Sequence, residues 1–143
     1  MKIQAVSLLL TLTFSLISLS SGAQNASDII GIWLTQEEEA KIEIYQNSDE
    51  ETYSGKIIWL KVPNGEDGNP KTDENGKPVL NMVNLKNFVF DDGEWIDGTI
   101  YDPKSGSTYY CAITLESTDE LKVRGSVDPM GWIGKTNYWT RVK

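Results

Sequence analysis

Residues 94–127 read EWIDGTIYDPKSGSTYYCAITLESTDELKVRGSV, and this stretch decides the fold. It holds three runs rich in β-branched and aromatic residues, at 94–102, 107–116 and 120–127. The turn-forming sequences PKSG and STD separate the runs and leave connections of only three or four residues. Strands joined this closely pair antiparallel, because a parallel connection needs a crossover of about a dozen residues or more. The stretch therefore predicts an antiparallel meander.

The same pattern extends in both directions from this stretch. Further β-rich runs occur at 30–35, 40–46, 53–62, 84–90 and 132–142, so the chain holds eight predicted strands. The Asp92-Gly93 pair supplies the positive φ that a tight hairpin needs. Sequential antiparallel strands leave two free edges unless the sheet closes on itself. We therefore predict an all-β fold, an eight-stranded antiparallel up-and-down barrel. A two-sheet sandwich, which needs longer crossover connections, is the alternative.

A separate segment, 1–23, precedes the predicted strands. Lys2 supplies a positive charge, 6–19 is an apolar and hydroxyl-bearing run, and the small residues SGA end the segment. This order is typical of a secretory signal peptide. An uncleaved membrane anchor, the alternative, needs about 20 apolar residues. We expect a signal peptide at 1–23 and a single β-barrel domain at 24–143. After cleavage this domain has no stable membrane span and is extracytoplasmic, either periplasmic or secreted.

Composition limits the partners and the covalent chemistry of this domain. Without the leader, 12 basic residues face 21 acidic ones, and a net charge of −9 repels nucleic acid and anionic lipid headgroups alike. Cys111 is the single cysteine, so no intramolecular disulfide can form. Cys111 alternates in register with Tyr109 and Ile113, which predicts a small buried hydrophobe rather than a reactive thiol.

The chain contains no histidine. The usual general base near neutral pH is therefore missing, which excludes Ser-His-Asp and Cys-His catalysis and disfavours a zinc site. A carboxylate pair of the glycosidase type could be drawn from Asp91, Asp92, Glu94, Asp97 and Asp102. Most of these residues are at hairpin ends, where aspartate is favoured because it caps turns. We therefore predict a protein without a cofactor, in which binding is favoured over catalysis.

The longest connection between predicted strands is 62–81. Connections of this length are usually functional or disordered. Oxygen-bearing side chains recur there between glycines, and the weak calcium candidates are Asp67, Asn69, Asp73 and Asn75. The EF-hand register fails, because Lys71 takes the fifth position counted from Asp67 and Pro78 takes the twelfth. A plain solvated loop and a lid over one barrel mouth are the alternatives.

Closure of the barrel brings the first and last strands together. The guanidinium of Arg141 can then lie over the indole of Trp33, a cation–π contact that is worth about 0.5 to 2 kcal/mol. Gly31, which has no side chain, allows the close approach of a neighbouring backbone or of the arginine. We predict that Gly31, Trp33 and Arg141 close this end of the barrel. The alternative is an ordinary core tryptophan and a solvated terminal arginine.

The last strand also predicts a binding site. If Arg141 points inward, then Trp139, Asn137 and Lys135 share its face by the period of two. Together with Tyr109 they would line a partly polar pocket, since closed eight-stranded barrels either fill with side chains or hold one small ligand. The predicted ligand is a small apolar or amphipathic molecule. The alternative is a filled barrel that serves the cell envelope as a structural or interaction module with a protein partner. In that case the polar groups cap the barrel ends, or a bulge at Gly134 shifts the register.

Several quoted motifs resemble known families. GIW in the first strand and WTR in the last are similar to the lipocalin and wider calycin pattern. A more specific resemblance is to an uncharacterised secreted bacterial family catalogued as domain of unknown function 2147. It is carried by SGKIIWLKVPN, DGNPKTDENG, GTIYDPKSGSTY, LKVRG and GKTNYWTRV, and covers essentially all of 24–143. The resemblance implies a calycin-like barrel without an established activity. This chain departs from the family at Lys135, where arginine is usual, and after Asn75, where the segment is usually longer.

Overall fold

The computed structural model of the protein describes residues 24–143, so the predicted signal peptide at 1–23 lies outside the described residues. A short 3-10 helix, Ala26–Ile29, comes first. The strands that follow are β1 (Gly31–Leu34), β2 (Ala40–Gln46), β3 (Thr52–Leu60), β4 (Val83–Asp91), β5 (Glu94–Asp102), β6 (Ser107–Ser117), β7 (Glu120–Ser126) and β8 (Gly134–Arg141). Each strand begins and ends within two residues of its predicted limits.

The sheet is a closed barrel in which every strand pairs antiparallel with its neighbour in sequence. The ring closes where β1 pairs with β8, with Trp33 opposite Arg141 and Leu34 opposite Thr140. The predicted up-and-down barrel is therefore confirmed, and the sandwich alternative is wrong. Strand β8 pairs with β7 without a register shift, so the alternative of a bulge at Gly134 is not observed.

Turn chemistry explains why the β4–β5 hairpin is so tight. Asp92 has a φ of 47° and Gly93 a φ of 83°, the two positive values that a type I′ turn requires. Most residues resist this conformation, whereas Gly adopts it freely and Asp tolerates it. The Asp-Gly pair therefore sets the register between β4 and β5, as the sequence predicted.

Large apolar side chains form the core of the barrel. The largest fully buried ones are Trp33, Trp95, Phe88, Ile29, Ile42, Ile44, Leu85, Ile113 and Leu121. Cys111 lies in the same core and is 5% exposed. Gly98 has no side chain because the Phe88 ring occupies the space that a Cβ atom would need. The core is therefore packed around the bulkiest ring available on β4.

The 3-10 helix seals one end of the barrel. Ile29 is fully buried. The Trp33 Nε1–H donates a hydrogen bond of 2.9 Å to the Ile29 carbonyl, and the Trp95 Nε1–H donates one of 3.1 Å to the Ala26 carbonyl. A buried indole N–H needs an acceptor, and the helix backbone supplies both. We call the end of the barrel that the 3-10 helix covers the sealed end.

Among the described residues, no helix is both long and apolar enough to cross a membrane.

Candidate functional site

The opposite end of the barrel is open and leads into a cavity of about 1320 Å³. The connections β1–β2, β3–β4, β5–β6 and β7–β8 surround it, and we call this end the mouth. Ligand pockets typically measure about 300 to 1,000 Å³, so the space is ample for one small molecule. The barrel is thus packed in one half and open in the other.

The walls of the cavity are apolar in its depth. Trp139 is 4% exposed and forms part of the lining, next to side chains from the surrounding strands. These neighbours on the wall are Ile42, Ile57, Ile100 and Val123. An apolar group placed among these side chains would leave water and gain about 25 cal/mol for each Å² buried. The depth of the cavity therefore suits the apolar part of a ligand.

The four residues predicted to bind ligand line this one cavity. Trp139, Asn137 and Lys135 follow one another along β8 at intervals of two, and Tyr109 joins them from β6. Trp139 is buried, Asn137 and Tyr109 are half-buried, and Lys135 is exposed near the mouth. The strand thus runs from a charged group at the mouth to an aromatic group in the depth.

Two side-chain amides on the lining have an unsatisfied oxygen. The Oδ1 atoms of Asn84 and Asn137 are buried and have no hydrogen-bond partner among the described residues. Asn84 is 7% exposed, and both residues line the cavity. A buried polar atom without a partner is rare in folded proteins and often marks a functional site. Sequence reasoning missed Asn84, because its neighbour Leu85 is also buried and the period of two fails there.

The alternation of buried and exposed residues fails at Asn84 because the pairing of β3 with β4 is irregular. The register shifts on both sides of Gly55, which pairs with Leu85. A bulge of this kind turns two successive residues of one strand toward the same side. A glycine within a predicted strand is the sequence signal that could have indicated it.

Arg141 lies away from the cavity, at the sealed end. Its guanidinium carbon is 4.2 Å from the centroid of the Trp33 ring. Its nitrogen atoms donate hydrogen bonds of 2.8 to 2.9 Å to the backbone carbonyls of Asp28, Ile30 and Thr118. A Cβ atom at Gly31 would lie 2.5 Å from Nη1 of this guanidinium, so only glycine fits there. The group therefore joins the helix, β1 and the β6–β7 turn.

The four weak calcium candidates lie in two successive turns of the β3–β4 connection. Asp67 accepts hydrogen bonds from the backbone and side-chain amides of Asn69. Asp73 Oδ1 accepts hydrogen bonds of 2.9 Å from the backbone N–H groups of Asn75 and Lys77. These bonds lower the pKa of both carboxyls. No group of three or more acidic or cysteine side chains in residues 24–143 is arranged to hold a metal ion.

One of these carboxylates ties the long connection to the barrel. The Tyr101 hydroxyl of β5 donates a hydrogen bond of 2.8 Å to Asp73 Oδ2. This bond raises the pKa of Tyr101 and contributes to the lowered pKa of Asp73, for which the backbone N–H of Lys77 is the larger cause. Both residues line the cavity. The connection therefore forms part of the cavity wall.

An ion pair joins two turns on opposite sides of the mouth. Lys104 Nζ of the β5–β6 turn lies 2.5 Å from Glu39 Oε2 of the β1–β2 turn. The hydrogen bond between them is the main reason that the pKa of Glu39 is lowered and that of Lys104 raised. Both side chains are more than half exposed, so the pair contributes little to stability. Its position makes it a contact across the opening.

Residues 127–133 form an exposed apolar loop beside the mouth, which we call the rim loop. Its large apolar side chains, all more than 60% exposed, are Val127, Met130, Trp132 and Ile133. Asp128 accepts hydrogen bonds from the backbone N–H groups of residues 132 and 133. Arg124 donates hydrogen bonds to the carbonyls of residues 131 and 132. These bonds hold the loop in place without burying its side chains.

The groups considered for catalysis are dispersed. Of the five acidic residues from 91 to 102, only Asp102 lines the cavity, and Asp91, Asp92 and Glu94 belong to the hairpin at the sealed end. Burial raises the pKa of the Cys111 thiol to about 12. Its thiolate is therefore scarce near neutral pH.

Comparisons with known proteins agree with this architecture. A family model described as "Uncharacterized protein conserved in bacteria (DUF2147)" matches residues 31–141. Among solved structures, the chain is similar to protein HP1028 from the human pathogen Helicobacter pylori, described as belonging to the lipocalin family. The TM-score is 0.62 at 20% sequence identity, over 80% of this chain and 82% of that chain. This likeness shows a lipocalin-like fold. No curated protein sequence matches the chain.

Proposed function

Because this chain belongs to the bacterial DUF2147 family and folds as a lipocalin-like barrel, we propose that it binds one small amphipathic molecule inside the barrel. The observation that carries the proposal is the cavity of about 1320 Å³ between the packed core and the mouth. A filled barrel, the structural alternative, would leave no space larger than a few water molecules. The apolar part of the ligand would contact Trp139 and Ile57, and polar groups would set its orientation.

We also propose that binding takes place outside the cytoplasm. The support is the composition of residues 1–23, which has the charge, apolar run and small residues of a signal peptide. An extracytoplasmic carrier would collect a sparingly soluble compound from its surroundings and protect it from water. Fractionation of cells that express the full chain tests this part. A cytoplasmic protein of full-length mass would contradict it.

Binding is tested by titrating the protein with the neutral fluorophore N-phenyl-1-naphthylamine. We expect saturable binding of one molecule per chain. Native mass spectrometry of the same preparation shows whether a small molecule is carried through purification. A non-saturable signal, together with a protein-only mass, would overturn the proposal.

A cavity-filling variant identifies the binding site. A Cβ atom at Gly125 would lie 3.5 Å from Ile100 Cγ2, an ordinary contact, and would be directed between two residues of the lining. We expect Gly125→Phe to weaken fluorophore binding at least tenfold while the barrel remains folded. Lys86→Phe, which adds the same ring on the exposed outside of β4, is the matched control and should bind as the parent does.

A further inference from the structure

Two side chains of the cavity carry information about the ligand itself. Resting on the proposed function, we propose that Asn84 and Asn137 form an amide clamp that selects a neutral ligand with a hydroxyl group. Asn84 is in β4 and Asn137 in β8, which are half a turn apart in a closed ring of eight strands. The two amides therefore lie on opposite walls of one lumen.

The first step is the unsatisfied hydrogen-bonding capacity of the clamp. Neither Oδ1 atom has a partner among the described residues, although both atoms are buried. An amide oxygen that is removed from water without a partner destabilises the folded protein. Each oxygen has almost no accessible surface, so the side chain has to rotate toward the lumen before a ligand there can supply the missing donor. The empty protein therefore has two unpaired oxygens, and each hydroxyl group of a ligand can supply the donor for one of them.

The second step concerns the charge of the ligand. Glu39 is paired with Lys104, and Asp73 is held by Tyr101 and backbone amides. The remaining ionisable carboxylates and amines on the lining are three of each sign, namely Glu37, Glu74, Asp102, Lys61, Lys71 and Lys135. Arginine, the usual partner of a carboxylate or phosphate ligand, is absent from this described lining. With the Glu39–Lys104 pair and Asp73 included, the lining carries five carboxylates and four amines, and this near balance of charge favours a neutral ligand.

The third step concerns the functional group. A carboxamide offers one acceptor oxygen and two N–H donors. A hydroxyl both donates and accepts, so it can satisfy the oxygen and also accept from the amide nitrogen. An ether or a ketone accepts only and leaves the oxygen unpaired. The clamp therefore distinguishes an alcohol from an ether of the same size, while Trp139 contacts the apolar remainder of either.

The test is competition against N-phenyl-1-naphthylamine with four chains of similar length: 1-undecanol, decyl methyl ether, decanoate and decylamine. We expect 1-undecanol to bind about 5- to 10-fold more tightly than the ether, the factor that corresponds to one net hydrogen bond. Equal affinity for alcohol and ether would overturn the amide clamp. Tightest binding of decanoate or decylamine would overturn it as well.

Two variants connect the preference to the clamp. Leucine has the same number of side-chain heavy atoms and the same branching as asparagine, so Asn84→Leu and Asn137→Leu remove the amides and keep a similar side-chain shape. In the double variant, we expect the preference for alcohol over ether to fall below twofold, with each affinity measured by displacement of the fluorophore. The Tm without ligand should rise, because two unpaired oxygens are gone. Retention of the parent's alcohol preference would overturn the proposal.

Conservative replacements keep the test valid if the double variant does not fold. Asn84→Ser and Asn137→Ser each retain a hydrogen-bonding oxygen, so each should keep more of the alcohol preference than the corresponding leucine variant. Serine and leucine variants of equal preference would contradict the clamp. If the fluorophore itself does not bind to the parent protein, the proposed function has failed. If it binds without alcohol preference, only the clamp has failed.

Discussion

Single residues act at the two ends of this barrel in opposite ways. At the sealed end, the Arg141 guanidinium donates hydrogen bonds to three backbone carbonyls and covers the ring of Trp33, so all of these contacts stabilise the fold. In the cavity, Asn84 and Asn137 each keep an oxygen without a partner. A satisfied network is a structural device, whereas unsatisfied groups on a cavity wall point to a ligand.

Replacement of Arg141 should destabilise the barrel more than a terminal position usually does. Arg141→Leu removes a charged donor from three carbonyls, and we expect a loss of about 3 kcal/mol in the free energy of unfolding. Arg141→Lys should lose less, because the charge stays and only the planar fork is lost. Urea denaturation measures both. Lys143→Ala, which breaks an exposed 3.0 Å pair with Asp119, is the control and should change stability by less than about 0.5 kcal/mol.

Cys111 should be inert while the protein is folded. With a pKa of about 12 against a usual 9.0, its thiolate near pH 8 is about 1,000-fold scarcer than in the unfolded chain. Alkylation by iodoacetamide at pH 8 should therefore be at least that much slower in buffer than in concentrated urea. Comparable rates in the two solutions would contradict the burial of this thiol.

At the scale of elements, the strands were predictable and their irregularities were not. Short connections and alternation of apolar residues were sufficient for all eight strands, because each side of each strand faces either water or the core. The predicted cavity residues on β8 followed from the period of two, since β8 pairs with β7 without a shift. Asn84 could not be predicted, because the register shifts around Gly55 change which residues face the lumen.

The β3–β4 connection shows a second limit of sequence reasoning. Its carboxylates suggested a cation, but their oxygens accept hydrogen bonds from nearby N–H groups and from Tyr101. The partner of Asp73 is 28 residues away in sequence, so no local motif could indicate it. Asp73 is thus a contact that holds the connection against the barrel, whereas Asp67 bonds only within its own turn.

That contact predicts a pH dependence. The pKa of Asp73 is below its usual 3.8, so its stabilising effect is complete above that pH and is lost as the pH falls through the lowered value. The pKa of Tyr101 is above its usual 10.0, so its effect is complete below that pH and is lost as the pH rises through the raised value. The stability difference between the parent and Tyr101→Phe should therefore be constant from about pH 5 to 9 and shrink on both sides.

Urea denaturation across the pH range checks this, with hydrogen exchange of 61–82 as the local measurement. In Tyr101→Phe we expect faster exchange in that connection and unchanged exchange in β6 and β7. Tyr110→Phe, an exposed tyrosine on the outside of β6, is the control. A parent-to-variant difference that is the same at pH 2 and pH 7 would contradict the role of Asp73.

At the scale of the whole molecule, the barrel is a cup. The 3-10 helix and the aromatic core seal one end, and the cavity opens only at the other among the described residues. The ion pair between Glu39 and Lys104 and the rim loop both lie at that opening. A ligand would therefore bind and leave by one route.

A single route predicts how a mutation at the mouth affects kinetics. Lys104→Gln removes the contact across the opening without changing the depth of the cavity. Association and dissociation of N-phenyl-1-naphthylamine should then accelerate by the same factor, with the Kd unchanged within about twofold. Stopped-flow fluorescence measures both rates. A change confined to dissociation would instead mean that Lys104 contacts the bound molecule. Lys86→Gln, on the outside of the barrel, is the control.

The junction of β1 with β8 has a mechanical consequence. The pairing of β1 with β8 is short, with two register pairs, whereas β7 and β8 share seven. Because fewer backbone pairs hold this junction than hold β7 to β8, local opening of the barrel should begin between β1 and β8 and then spread to the neighbouring strands. Arg141 lies in this junction, opposite Trp33, and its hydrogen bonds to the carbonyls of Asp28 and Ile30 attach the junction to the 3-10 helix at the sealed end. The arginine that helps to close the sealed end therefore also holds the first and last strands together.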